Sequence, residues 1–145
     1  FISSTFWTER IGPSAALRSL EVMERIRSWA LITSTGLYLR EQWQILADSF
    51  GLNINHAGLP ALASFSFESK NALAYKTLIS QEMLKRGYLA ATSCYLSISH
   101  TRPIIDEYID ALTYVFKLIS DCEQGCSVHD LLDGPVCNAG FKRLN

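Results

Sequence analysis

Apolar residues follow two different spacings along this chain, and the switch between them marks out its elements. Over residues 9–27, Ala16, Leu20, Met23 and Ile26 recur at steps of three and four, the repeat of one helix face. Thr8 or Gly12 stands where a cap belongs, and Pro13 falls in or near the first turn, where a missing N–H costs little. A second helix is predicted from Ser28 to Phe50, ended by Gly51. Its stripe is Ile32, Leu39, Trp43, Leu46 and Phe50, with Gly36 filling one slot, and both stripes read as core packing.

From Leu52 the period falls to two. Leu52–Ala57 and Ala61–Phe67 read as strands joined by a bend at Gly58, Leu59 and Pro60. In the second, Ala61, Ala63, Phe65 and Phe67 share the inner face and Leu62, Ser64 and Ser66 the outer one. His56, at the turn end of this hairpin, reads as a solvated polar residue. Ser69 or Asn71 then caps a helix to about Arg86, with Tyr75, Leu78, Ile79 and Met83 inward and Gly87 as its stop. Tyr88–Ala91 and Tyr95–Ser99 read as extended segments forming one or two strands. Thr101 caps the last long helix, with Pro103, Asp106 and Glu107 in its first turns, where fixed φ and negative charge suit free N–H groups. Ile105, Tyr108, Leu112, Val115, Phe116 and Ile119 form its inner face. After Cys122 the tail is irregular, with a short turn near His129–Leu132.

The order α-α-β-β-α-β-α predicts an α+β fold, a small and mainly antiparallel sheet covered by helices. No Gly/Ser/Pro-rich linker divides residues 1–145, so they read as one domain. Within it, 1–27 is a linking or interface helix region, 28–122 the α+β core and 123–145 the irregular tail.

Charge and length narrow the function classes. With 13 basic and 14 acidic residues in 145, there is no positive field to track a phosphate backbone, and nucleic-acid binding is not expected. No apolar run approaches the roughly 20 residues of a membrane span, and Phe1–Arg10 lacks the basic start and apolar block of a secretory signal. A cytoplasmic protein with reduced thiols is the expectation. The chain does not open on Met and begins mid-pattern, as a section of a longer protein would. Cys122, Cys126, His129 and Cys137 make a C-x3-C-x2-H-x7-C string, a possible zinc ligand set that lacks the paired short-spacing knuckles of structural sites. No metal site is expected from it.

The familiar catalytic motifs are absent: no G-x-S-x-G elbow, phosphate-binding P-loop, G-x-G-x-x-G or H-E-x-x-H. Asp106 and Glu107 are explained by the helix dipole, and His100 beside Thr101 reads as a cap and its neighbour. From residue chemistry alone the chain is an α+β domain without assigned catalytic residues.

Several segments carry a resemblance. Ser3-Ser4-Thr5-Phe6-Trp7-Thr8-Glu9 with Ile11-Gly12-Pro13-Ser14-Ala15-Ala16-Leu17 comes first. Arg27-Ser28-Trp29, Ala74-Tyr75-Lys76-Thr77 with Gln81–Gly87, Leu96–Thr101, Gly134-Pro135-Val136 and Gly140–Leu144 follow in order. Together they resemble the C-terminal region of class III pyridoxal-phosphate-dependent aminotransferases, within the glutamate-1-semialdehyde aminomutase-like group. The resemblance implies the C-terminal small domain of a fold-type I enzyme, pyridoxal phosphate as cofactor, a homodimer, a large cofactor-binding domain upstream, and a small amino-acid or amino-sugar-like substrate.

The family's opening motif is G-T-x-x-G-N-P, whose Thr hydrogen-bonds the cofactor phosphate across the dimer interface. Thr5 matches that Thr and Ser4 stands at the Gly, while Thr8-Glu9-Arg10 replace Gly-Asn-Pro. The resemblance thus assigns cofactor binding to Thr5 and Ser4. A substrate-side Glu of the aminomutases falls at Thr92, which favours transamination over the aminomutase reaction. The Schiff-base lysine lies upstream in the family, and Lys70, Lys76, Lys85, Lys117 and Lys142 fall on other elements, so no catalytic residue is expected in this chain and the chain alone is expected to be inactive. Two other readings stand beside this one: a non-catalytic interaction module of the same fold, and a small zinc-binding domain using the Cys/His tail.

Overall fold

A computed structural model describes residues 9–140, so Ser4, Thr5, the Thr8 cap and Lys142 lie outside the described residues. Two helices lead, α1 (Ile11–Ile26) and α2 (Ser28–Ser49), followed by the strands β1 (Ile54–Ala57) and β2 (Leu62–Phe67). Then come α3 (Ala72–Lys85), β3 (Ser93–Tyr95), α4 (Arg102–Glu123) and a 3-10 turn at Val128–Leu131. The strands form one antiparallel sheet in the order β1-β2-β3. The architecture is the α+β arrangement that the hydrophobic periodicity predicts. Among the described residues no helix is long and apolar enough to cross a membrane.

The core sits between one face of the sheet and α2, α3 and α4. Ala63, Phe65 and Phe67 point inward from β2, whereas Leu62 and Ser66 are exposed. Phe65 and Phe67 meet Phe116 of α4 at ring separations of 6.0 and 5.5 Å, and Trp43 of α2 tilts against Phe65 at 4.8 Å. Such offset and tilted aromatic pairs stabilise beyond their buried area. Leu39 and Trp43 of α2, Tyr75, Leu78, Ile79 and Met83 of α3, and Leu112, Val115, Phe116 and Ile119 of α4 are fully buried, as their spacing requires. The outward faces of β1 and β3 (Asn55, Ala57, Ser93, Tyr95) are exposed, so helices cover one side of the sheet.

The structure departs from the sequence reading at several points. None of α1's residues is buried: of its apolar stripe, Leu20 and Met23 are 60% and 43% exposed and Ile26 is half-buried, so the stripe packs no core among the described residues. Gly12 lies inside α1, after Arg10 at the N-cap position. Arg27 separates α1 from α2 with φ 51° and ψ 48°, the left-handed region that ends a helix. Ala61 belongs to the turn and is exposed, because β2 begins at Leu62. The third strand lies at Ser93–Tyr95, after the first expected extended segment and sharing only Tyr95 with the second. Its position is set by pairing to β2, with Ala63 opposite Cys94 and the flanking bonds Phe65 N to Thr92 O and Leu96 N to Ala61 O. Asn71 and Thr101 hold their N-cap positions without a side-chain cap bond. At Asn71 the local bond comes instead from Ser69, whose Oγ accepts its N–H at 3.2 Å.

The tail after α4 is irregular yet docked along α3. Gln81 donates to Leu131 O at 2.8 Å and accepts from Asp133 N at 2.7 Å, Thr77 Oγ1 accepts from Cys137 N, and Lys85 pairs with Asp133 at 2.8 Å. Val128 is buried, so the core extends past residue 122.

Candidate functional site

Polar groups concentrate where β3 runs into α4. The N–H of Ser97 donates to His100 Nδ1 at 2.9 Å, and Ser97 Oγ lies 3.0 Å from the same nitrogen. Because Nδ1 accepts from a backbone N–H, the neutral ring carries its proton on Nε2. The Ser97 hydroxyl oxygen also accepts from Ser99 N at 3.3 Å, closing a tight loop before the helix. His100 is thus more than the flanking residue of a cap: it organises the loop and lines a cavity of about 170 Å³ with Leu39, Tyr88, Cys94, Ile105 and Tyr108. Tyr108 accepts from Trp43 Nε1 at 3.2 Å, and burial raises its phenol above the ordinary value. Burial raises the Cys94 thiol as well, so it is no activated nucleophile.

Asp106, read as a dipole partner, accepts a 2.5 Å bond from Tyr38, and Arg102 stacks over the Tyr38 ring at 4.2 Å. The Asp106 carboxylate raises the Tyr38 hydroxyl above its usual value, first through that hydrogen bond.

His56 corrects another expectation. It lies on the inner face of β1, opposite Phe65, and stacks on Trp43 at 6.5 Å with an interplanar angle of 12°. Nε2 meets Gln44 at 3.1 Å, and Nδ1 is buried without a partner. Burial, and secondarily the Arg40 charge, lowers its tendency to protonate. Its parity with Ile54 was the sequence signal for this inward position. Glu82 is a buried carboxylate that motif reasoning passed over. It accepts from Lys85 at 2.8 Å and from Arg86 at 3.0 Å, and only its place on the α3 inner side hinted at burial.

Thr92 is half-buried just before β3 and its carbonyl accepts the N–H of Phe65 at 2.9 Å; it does not line the cavity beside it. Lys70, Lys76, Lys85 and Lys117 are exposed, and none lines this cavity, the smaller one beside Glu68 and Glu123, or the groove between α1 and Leu96–Ile98. The Cys/His string is not gathered either. Cys122 is buried at the end of α4, while the Cys137 thiol faces Leu73 O at 3.6 Å. Among the described residues no three His, Cys, Asp or Glu side chains are placed to hold a metal ion.

No family model matches the chain. Over 78 residues it is 28% identical to a 3-aminobutyryl-CoA aminotransferase of Cloacimonas acidaminovorans (strain Evry), a stretch covering 54% of this chain and 19% of that one. In structure it resembles the FumI protein of Sphingopyxis sp. MTA144, solved in its pyridoxal-phosphate internal aldimine form. The TM-score is 0.74 at 18% identity, over 91% of this chain and 33% of the FumI chain. The chain therefore spans about a fifth of the one protein and a third of the other. The structural likeness establishes a shared fold, and the sequence match bears out the aminotransferase resemblance.

Proposed function

We propose that this chain is the C-terminal small domain of a pyridoxal-phosphate-dependent aminotransferase, acting in the cytoplasm as part of a homodimer. The observation that carries this reading is the fold shared over 91% of the chain with one third of a pyridoxal-phosphate protein. The described residues do not fit the cofactor by themselves. A pyridoxal-phosphate site needs a lysine amine and donors for a phosphate. No lysine lines the cavities described above, and the one arginine that does, Arg18, is paired to Glu21 at 2.7 Å. The lysine is therefore assigned to a large domain outside this sequence. Thr5, with Ser4, contributes toward the cofactor phosphate of the neighbouring subunit, and the region of Thr92 faces the substrate, a small amino compound. Transamination is favoured over the aminomutase reaction, because a threonine stands where that reaction has its Glu.

What the chain's own residues supply is a rigid support. The aromatic core fixes the sheet against three helices, and the exposed apolar face of α1 suits burial against further polypeptide. The test is borohydride trapping of the chain with pyridoxal phosphate, followed by peptide mapping. Labelling spread thinly over exposed lysines is expected. One lysine of this chain labelled stoichiometrically at low cofactor would refute the assignment. For the parent enzyme, the upstream coding sequence is expected to place a lysine at the end of a strand, and the same trapping is expected to label it.

A further inference from the structure

The cavity beside His100 has the form of a small-ligand site that none of the roles above uses. Its floor is the fully buried Leu39 of α2, its walls come from β3 and the first half of α4, and its rim is the loop through Tyr88, Leu89 and Ala90. Leu89 is 96% exposed, the most solvent-facing large apolar side chain among the described residues, and it lines this cavity. A leucine in that place gains burial as soon as an apolar body lies beneath it.

Two hydrogen-bond donors on this lining are oriented by a bond that they accept, beside the hydroxyls of Tyr88 and Ser93. Tyr108 Oη already accepts from Trp43, which leaves its own proton free to donate. His100 has Nδ1 occupied by the Ser97 N–H, which leaves Nε2–H for a ligand. No lysine, arginine or carboxylate lines the space. A mainly apolar cavity of about 170 Å³ with two oriented donors is complementary to an acceptor oxygen on a short hydrocarbon, and a cavity of about 150 Å³ already holds a benzene-sized molecule.

We infer that this cavity binds a short aliphatic molecule through its carbonyl oxygen, in an acyl group or a carboxylate, with Tyr108 and His100 donating and Leu89 closing over the alkyl end. The inference stands whether or not the chain works within an aminotransferase. Pockets of this kind recognise ligands through few polar groups on an apolar lining, and so small a ligand binds weakly, at millimolar levels.

The experiment is an NMR titration of the 145-residue chain with butanamide, butyrate, butylamine and cyclopentane. Butanamide or butyrate is expected to shift the amides of residues 88–94 and 100–108, with butylamine and cyclopentane binding at least about tenfold more weakly, the worth of one such hydrogen bond. A preference for the amide identifies an acyl ligand, and a preference for butyrate a free acid. Tyr108→Phe keeps the ring and is expected to weaken binding about tenfold. Ala90→Leu, which fills the cavity without touching either donor, is expected to abolish it, with thermal melts confirming that both variants fold. Should one variant fail to fold, the other still decides. Equal binding of cyclopentane and butanamide, no shifts with either carbonyl probe up to its solubility, or shifts confined to the groove by Met23 and Ile98 would overturn the inference.

Discussion

Replacing a helical glycine by alanine normally stabilises, and Gly36 is the position where this chain should do the opposite. Gly36 is buried in the middle of α2, where Ala would gain about 1 kcal/mol in helix propensity. A Cβ there, however, would run into the carbonyl carbon and oxygen of Pro60, and it would sit 3.0 Å from Leu96 Cδ1. The obstacle is backbone in the hairpin turn, tied down by β1 and β2, so it cannot swing aside like the end of a side chain. Overpacking of this kind costs about 1–3 kcal/mol and more where backbone must shift. Taking the upper end and subtracting the propensity gain leaves Gly36→Ala about 2 kcal/mol less stable. For a chain of this length that is a fall in Tm of roughly 4–8 °C. Thr33→Ala, at an exposed position of the same helix, is the control, and propensity alone predicts it to be stabilised by about half a kcal/mol. Urea and thermal unfolding of the three proteins read the difference. If Gly36→Ala rises in stability together with Thr33→Ala, the close approach of the hairpin to α2 is not as described here.

Other perturbations test separate parts of the reasoning. Burial opposes ionisation of Glu82, but hydrogen bonds from Lys85, Gln81 and Arg86 outweigh it and hold the carboxyl at about 2 against 4.5 unfolded. The folded value is the lower one, so its stabilisation is complete above pH 4.5 and disappears as the pH falls toward 2. The shift corresponds to about 3 kcal/mol before screening of the half-exposed Lys85, and to about 1–2 kcal/mol after it; Glu82→Gln should flatten the acid limb of a stability–pH curve, and an unchanged limb would discount the cluster. The exposed α1 stripe should drive concentration-dependent association of the isolated chain, and Leu20→Glu with Met23→Glu should abolish it in sedimentation. A clean monomer at high concentration before mutation would count against that face meeting further polypeptide. In the proposed parent enzyme, Thr5→Val should weaken pyridoxal phosphate binding roughly ten- to a hundredfold, from the loss of one bond to a charged group. An unchanged dissociation constant would remove Thr5 from the cofactor site.

Hydrophobic spacing alone placed the inward residues of most elements. Steps of three and four named the buried sides of α2, α3 and α4, and alternation named Phe65 and Phe67, because burial of one face imposes the element's own period on the side chains. The resemblance carried by short segments over nearly the whole length named the aminotransferase relationship that residue chemistry could not. The rest depended on contacts between elements. β3 formed at Ser93–Tyr95 because β2 offered its free edge to those residues, and a three-residue strand has too short a pattern to announce itself. His56 turned inward because Trp43 supplied a ring to stack on, and the lack of room for a Cβ at Gly36 arises only because the Pro60 turn lies against it. The Tyr108–His100 cavity joins residues from β3, α4 and the loop between α3 and β3, so no local pattern contains it. α1 shows the boundary most plainly. Its period states that the helix has an apolar side, but burial is a property of two surfaces, and the described residues supply only one of them.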